Sequence, residues 1–155
     1  MEQALAYLAE SIAKSGGKIT HDPLPVVPGD GTQLTQVLQN LLANALKFVP
    51  ESRTPEIHVS VKALESAWQI CVRDNGVGIA PEHTKRIFQI FQRLHSKGEY
   101  TGTGIGLAIC RRIVDRHDGD IWVQSEDSTG ASFYFTLPTE RATTHRTEYD
   151  QAGAH

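Results

Sequence analysis

Asn40, Asn44 and Lys47 follow one another at intervals of four and three residues. On an α-helix that spacing puts all three in one narrow stripe. An asparagine side chain offers a neutral oxygen to a hard cation such as Mg²⁺, which keeps several waters and binds substrate phosphates as well. A lysine beside it neutralises the same phosphates as a point charge. A solvated polar face is the competing reading. Asparagine is a poor helix former, because its side chain competes for backbone hydrogen bonds, so two on one stripe of a strong helix need a reason.

Asp74-Asn75-Gly76-Val77-Gly78-Ile79 closes an alternating strand pattern in which Asp74 shares a face with Trp68, Ile70 and Val72. A carboxylate at the rim of an apolar interior requires a hydrogen-bond donor. The exocyclic amine of adenine is a suitable one. Gly76 and Gly78 permit a sharp turn and a close approach to a flat ligand. An ordinary Asp-Asn-Gly turn is the alternative.

Gly102-Thr103-Gly104-Ile105-Gly106-Leu107 stands directly before a helical pattern. Exposed amides at a helix N-terminus, with the helix dipole behind them, attract anions, and glycines admit a polyphosphate close to the main chain. A dinucleotide-binding fingerprint fails here, because the third glycine of GxGxxG would fall on Leu107 or Ile109 and the motif follows a loop. No glycine run is followed by Gly-Lys-Ser/Thr, and the protein-kinase catalytic set is missing. Between these segments lies Ile87-Phe88-Gln89-Ile90-Phe91-Gln92-Arg93. Phe88 and Phe91 either anchor a mobile segment or are two core aromatics, and Arg93 is placed to reach a phosphate.

These residues need elements to hold them. Residues 1–14 are helix-like and stop at Gly16-Gly17. Lys18 to Val27, with Pro23 and Pro25, reads as a short extended edge piece. Pro28-Gly29-Asp30-Gly31 is a turn, and Thr32 or Asp30 can cap the next helix. That helix is expected over Gln33–Phe48, with Leu34, Leu38, Leu41, Leu42 and Ala45 on its apolar face. Alternation at Ile57-Val59-Val61 and Trp68-Ile70-Val72 gives a hairpin. Pro81 opens a helical turn, residues 93–104 are expected to be mobile, and a helix follows over Ile105–Arg116, stopped by Asp118-Gly119. Ile121-Trp122-Val123 and Phe133-Tyr134-Phe135 are two more strands around Ser128-Thr129-Gly130. The chain is polar from Pro138 onward and is expected to be disordered there.

The composition fits one globular domain: 155 residues, 39% of them hydrophobic and 21% charged, with a net charge of −3. That charge, without a basic tract, argues against a nucleic-acid partner. No stretch approaches the roughly 18 to 20 apolar residues of a membrane span, and the N-terminus lacks a signal core, so a cytoplasmic protein without membrane contact is expected. Cys71 and Cys110 sit in apolar runs and are expected to be buried thiols.

In their order, the four segments resemble the N, G1, F and G2 boxes of sensor histidine kinases. The flanking text is also similar, as in Gln36-Val37-Leu38-Gln39-Asn40-Leu41-Leu42-Ala43-Asn44-Ala45 and Thr101-Gly102-Thr103-Gly104-Ile105-Gly106-Leu107-Ala108-Ile109. His21-Asp22-Pro23-Leu24-Pro25 and Arg93-Leu94-His95 are most similar to phytochrome-type kinases. The resemblance covers residues 30–138. It implies an α/β two-layer sandwich, a mixed sheet of about five strands with three helices on one face. This is the Bergerat ATP-binding fold, shared with gyrase, heat-shock protein 90 and mismatch-repair ATPases.

The resemblance also implies roles. Asn44 ligates Mg²⁺ with Asn40 beside it, Lys47 contacts phosphate, Asp74 reads the adenine amine, and Gly76, Gly78 and Ile79 shape the base pocket. Arg93 and Tyr100 lie on or beside a lid. Thr103, Gly104 and Gly106 approach the triphosphate, Thr101, Gly102 and Ile105 belong to the same ATP-binding segment, and Leu107 packs near the nucleotide. The function implied is binding of Mg·ATP and donation of its γ-phosphate to a histidine on a separate dimerisation domain, with a response regulator downstream. The family's acceptor lies on a helical hairpin and is followed by an acidic residue. No histidine stands in such a context here, so the acceptor is expected from another domain and the chain is expected to be a monomer. Residues 1–16 are expected to be the remnant of that hairpin or its linker, 17–138 the catalytic domain and 139–155 a tail. An ATPase of the same fold and a non-catalytic nucleotide-binding or interaction module are the rival readings.

Overall fold

Alternation decides the sheet. Ile57 and Val59 are buried while Glu56 and His58 are exposed, and Ile70 and Val72 are buried beside an exposed Arg73. Such strands need one apolar layer on one face only. A computed structural model of the chain describes residues 1–89, 106–126 and 129–140. In it β1 (Lys18–His21), β2 (Glu56–Ala63), β3 (Ala67–Asp74), β4 (Ile121–Glu126) and β5 (Gly130–Pro138) form one sheet in the order β1-β2-β3-β5-β4. β1 is parallel to β2 and the other neighbours are antiparallel, so the sheet is mixed, as expected. A parallel pair requires a crossover, and a helix supplies it.

The helices are α1 (Glu2–Tyr7), α2 (Ala9–Ser15), α3 (Gly31–Lys47) and α4 (Gly106–Arg116). The N-terminal helix is bent at Leu8 rather than continuous. Hydrogen bonds from Leu8 N–H to Ala4 O and from Ile12 N–H to Leu8 O carry across the bend, and Ala4 and Leu8 are both buried with α3 in one core. Gly16, in the left-handed region, ends this arm as expected.

α3 is the central helix. Asp30, not Thr32, caps it: its Oδ1 accepts the Gln33 N–H at 3.1 Å, and the helix starts two residues earlier than Gln33. Such a cap contributes about 1 kcal/mol. Val37, Leu38, Leu41, Leu42, Ala45 and Leu46 are buried, and Leu34 is half-buried. They meet Ile113 and Val114 of α4 and the inward residues of the strands, among them Val59, Val72, Phe133 and Phe135. Burial of each large side chain stabilises by about 1.5–3 kcal/mol. Pro81 opens a short 3-10 turn, Pro81–His83, as expected. Cys71 and Cys110 are free and buried. Among the described residues no helix is long and apolar enough to cross a membrane.

Candidate nucleotide site

The sheet order sets the first contact of the site. β3 ends at Asp74 beside the start of β5, with Arg73 opposite Ser132. The Asp74 Oδ1 therefore receives two main-chain N–H groups, from Gly76 at 2.8 Å and from Ala131 at 3.2 Å. Asp74 shares the inward face of Ile70 and Val72, as the alternation implied, and is half-buried. Burial raises its carboxyl above the ordinary 3.8, against the lowering influence of the hydrogen bonds from Gly76 and Ala131. The donor that the sequence demanded is supplied by the backbone on Oδ1.

The loop after Asp74 is held from several sides. Val77 N–H donates to Phe48 O, just beyond α3, at 2.9 Å. A Cβ on Gly76 would stand 2.3 Å from that same carbonyl, so only glycine fits against the end of α3. Gly78 has φ +74°, the left-handed region that favours glycine. Ile79 N–H donates to Ser125 Oγ at 2.7 Å, and Ser125 Oγ–H donates to Gly130 O at 2.8 Å, which ties the loop to the β4–β5 turn. Ile79 packs partly against the core.

The stripe on α3 reaches the other half of the site. Asn40, Asn44 and Lys47 are half-buried. Asn40 Nδ2 donates to Gly106 O, in the first turn of α4, at 3.4 Å. The Lys47 ammonium lies 5.4 Å from the centre of the Phe48 ring. Leu107 is half-buried against the core. α3 thus touches the glycine loop at its C-terminal end and the N-terminus of α4 at its middle, which brings together three of the four segments. Phe88, of the fourth, is buried edge-on to Phe133, with ring centres 6.2 Å apart. Arg93, Tyr100, Thr101, Gly102, Thr103, Gly104 and Ile105 lie outside the described residues, as do Phe91 and the tail from residue 141.

Several supporting residues were not singled out from the sequence. Ala131, Ser125 and Arg53 act on the loop through contacts between distant positions, for which a local pattern carries no signal. Asn75 was read only as part of a turn. Its side chain accepts Glu56 N–H at 2.9 Å and donates to Thr54 O at 3.0 Å, which continues the β2–β3 pairing by one step.

Comparison with known proteins gives the same assignment. The family model described as "Histidine kinase-, DNA gyrase B-, and HSP90-like ATPase" matches residues 29–141. The chain is similar to Cyanobacterial phytochrome A of Nostoc sp., 54% identical over 138 residues that make up 89% of this chain and 18% of that protein. It is likewise similar to Phytochrome-like protein Cph1 of Synechocystis sp., 46% identical over 89% of this chain and 18% of the relative. The chain thus spans about 18% of the length of these curated relatives. Full-length ShkA, solved in complex with AMPPNP, matches at TM-score 0.75 and 29% identity over 91% of this chain and 30% of its own. Histidine kinase ThkA, solved in complex with response regulator protein TrrA, matches at TM-score 0.70 and 26% identity over 92% of this chain and 40% of its own. A family model that covers most of the chain and relatives of this identity leave one conclusion: the chain belongs to the histidine kinase-, DNA gyrase B- and HSP90-like ATPase family, as the ATP-binding catalytic domain of a two-component histidine kinase.

Proposed function

We propose that this domain binds Mg·ATP between α3, the Asp74–Ile79 loop and the start of α4, and donates the γ-phosphate to a histidine on a separate dimerisation domain. One observation carries this reading. Both main-chain donors to Asp74 use Oδ1, so Oδ2 is the oxygen left to accept the adenine amine. The half-buried stripe of Asn40, Asn44 and Lys47 beside Gly106 supports the phosphate end.

The residues fit the groups they would hold. The Asn44 side-chain oxygen suits Mg²⁺, which, when bound, neutralises phosphate charge. Asn40 stands beside it, Lys47 contacts phosphate, and Gly76, Gly78 and Ile79 shape the base pocket. In the proposed transfer an imidazole nitrogen of the acceptor forms a bond to the γ-phosphorus as the bond to the β–γ bridging oxygen breaks. ADP departs with that oxygen, and the imidazole proton passes to the acidic residue that follows the acceptor. This domain's residues contribute positioning and charge neutralisation, which is most of what phosphoryl transfer requires. Residues Arg93, Tyr100 and Thr101 to Ile105 would cover and cradle the triphosphate, and Leu107 would pack near the nucleotide.

The partners on this reading are the dimerisation domain and a response regulator. The ThkA–TrrA complex supports the response regulator as a partner, and the AMPPNP complex of ShkA supports the nucleotide. Residues 17–138 form the binding unit, and 1–16 are the end of the dimerisation helix, docked on α3. The test is to mix this domain with the separately produced dimerisation domain and ATP labelled at the γ-phosphate. The expected product is an acid-labile, base-stable phosphohistidine. Its absence, with nucleotide still bound, contradicts the proposal.

A further inference from the structure

Arg53 lies in the connection between α3 and β2, on no motif, and is exposed. Its Nη1 nevertheless donates to two successive carbonyls of the glycine loop, Asn75 O and Gly76 O, the latter at 3.1 Å. The first of these contacts has a consequence for Asp74. Asn75 C=O and Gly76 N–H belong to one planar peptide group. Arg53 holds its oxygen end, and its N–H end donates to Asp74 Oδ1 at 2.8 Å. A cation on the carbonyl polarises the amide and strengthens the hydrogen bond that its N–H donates at the other end. That peptide plane carries one of the two N–H groups that orient the carboxylate, Ala131 supplying the other.

The connection that carries Arg53 is itself anchored. Arg53 N–H closes a turn to Pro50 O at 2.9 Å, and the Asn75 amide joins both Thr54 O and Glu56 N–H. These contacts tie residues 50–56 and 75–76 into one latch.

We infer that Arg53 is a positioning residue for base recognition, acting through the Asn75–Gly76 peptide to aim the Asp74 carboxylate. The inference rests on the nucleotide-binding reading above. It predicts that Arg53 governs selectivity for adenine. A carboxylate aimed at the adenine amine rejects guanine, which presents a carbonyl oxygen at the same position, and a loosened carboxylate discriminates less.

The experiment is calorimetric titration of the wild type, Arg53→Ala and Arg53→Lys with ADP and with GDP, each variant's thermal midpoint being measured alongside. Arg53→Ala is expected to weaken ADP about five- to tenfold, with GDP little changed, so that the ADP:GDP ratio falls by the same factor. Arg53→Lys, which keeps the charge and the donors, is expected to recover most of that ratio. An unchanged ratio in Arg53→Ala overturns the inference, whether ADP binding is retained or both nucleotides weaken together in step with the thermal midpoint. Wild type that binds no ADP overturns the nucleotide-site reading and this inference with it. Wild type that binds ADP beside an Arg53→Ala that binds it equally well overturns the inference alone.

Discussion

The Nε2 of His117 accepts the backbone N–H of Asp30 at 3.0 Å, and its Nδ1 lies 2.8 Å from Ile113 O. A main-chain N–H can only donate, so Nε2 carries no hydrogen and Nδ1–H donates to Ile113 O. A neutral imidazole just past the end of α4 thereby fastens the N-cap of α3. Together with Asn40 at Gly106, it ties both ends of α4 to α3, so the stripe and the start of α4 hold their relative position. A Cβ on Gly29 would lie 2.6 Å from the ring. His117→Ala is expected to cost about 1–2 kcal/mol in urea unfolding with the slope unchanged. Gly29→Ala should destabilise too, but in the double variant the added Cβ no longer meets the ring. The combined cost should therefore fall short of the sum. Strict additivity would contradict the contact.

Burial raises the Asp74 carboxyl above 3.8, and this fixes the sign of a pH effect. A group with a raised folded value contributes stability below its unfolded value and loses it as pH rises through the folded one. Relative to Asp74→Asn, the wild type should therefore lose stability on going from about pH 3.8 up through the raised value. Nucleotide affinity should move the other way. A protonated Oδ2 turns a donor toward the adenine amine and accepts only weakly, so ADP affinity is expected to fall on acidification, at a higher pH than for an ordinary aspartate. Calorimetry of ADP binding down a pH series checks this, and a flat profile in the wild type would contradict it.

Much of the architecture was legible because its signals are local. The alternation of Ile57, Val59, Ile70 and Val72 gave the hairpin, and the leucine face of α3 gave the central helix. The parts not legible depend on the sheet order. Ala131 reaches Asp74 across 57 positions of sequence only because β5, not β4, lies beside β3. Gly76 was read as making room for a ligand, whereas the atom that excludes a side chain is Phe48 O. The bend at Leu8 has no proline or glycine to announce it.

Two glycines of the site should separate stability from binding. At Gly76 an added Cβ meets backbone oxygen at 2.3 Å, whereas at Gly106 its nearest neighbour is the Asn40 side chain at 3.8 Å, an ordinary contact. Gly76→Ala is expected to destabilise the fold by about 1–3 kcal/mol. Gly106→Ala should leave the stability unchanged or raise it slightly, by up to about 1 kcal/mol, because alanine is the better helix former. A loss of ATP affinity in Gly106→Ala at unchanged stability would mark a glycine kept for the ligand. Equal destabilisation by the two substitutions would contradict the geometry.

Cys110 is fully buried, and burial pushes its thiol up to about 12. The thiolate is the reactive form, so Cys110 should resist alkylation in the native protein at pH about 8 and react only through opened or unfolded molecules. Mass spectrometry after iodoacetamide treatment, with and without urea, measures this. Rapid native labelling of Cys110 would contradict its burial.

Calorimetric titration of ADP into the wild type and Asp74→Asn tests the central claim most directly. Because Oδ1 must accept two backbone N–H groups, an asparagine has to keep its oxygen there, which turns its NH₂ toward the adenine amine, donor against donor. The account predicts that the wild type binds ADP and that Asp74→Asn weakens it at least about tenfold without unfolding. Equal affinity in the two proteins would contradict Asp74 as the residue that reads the base.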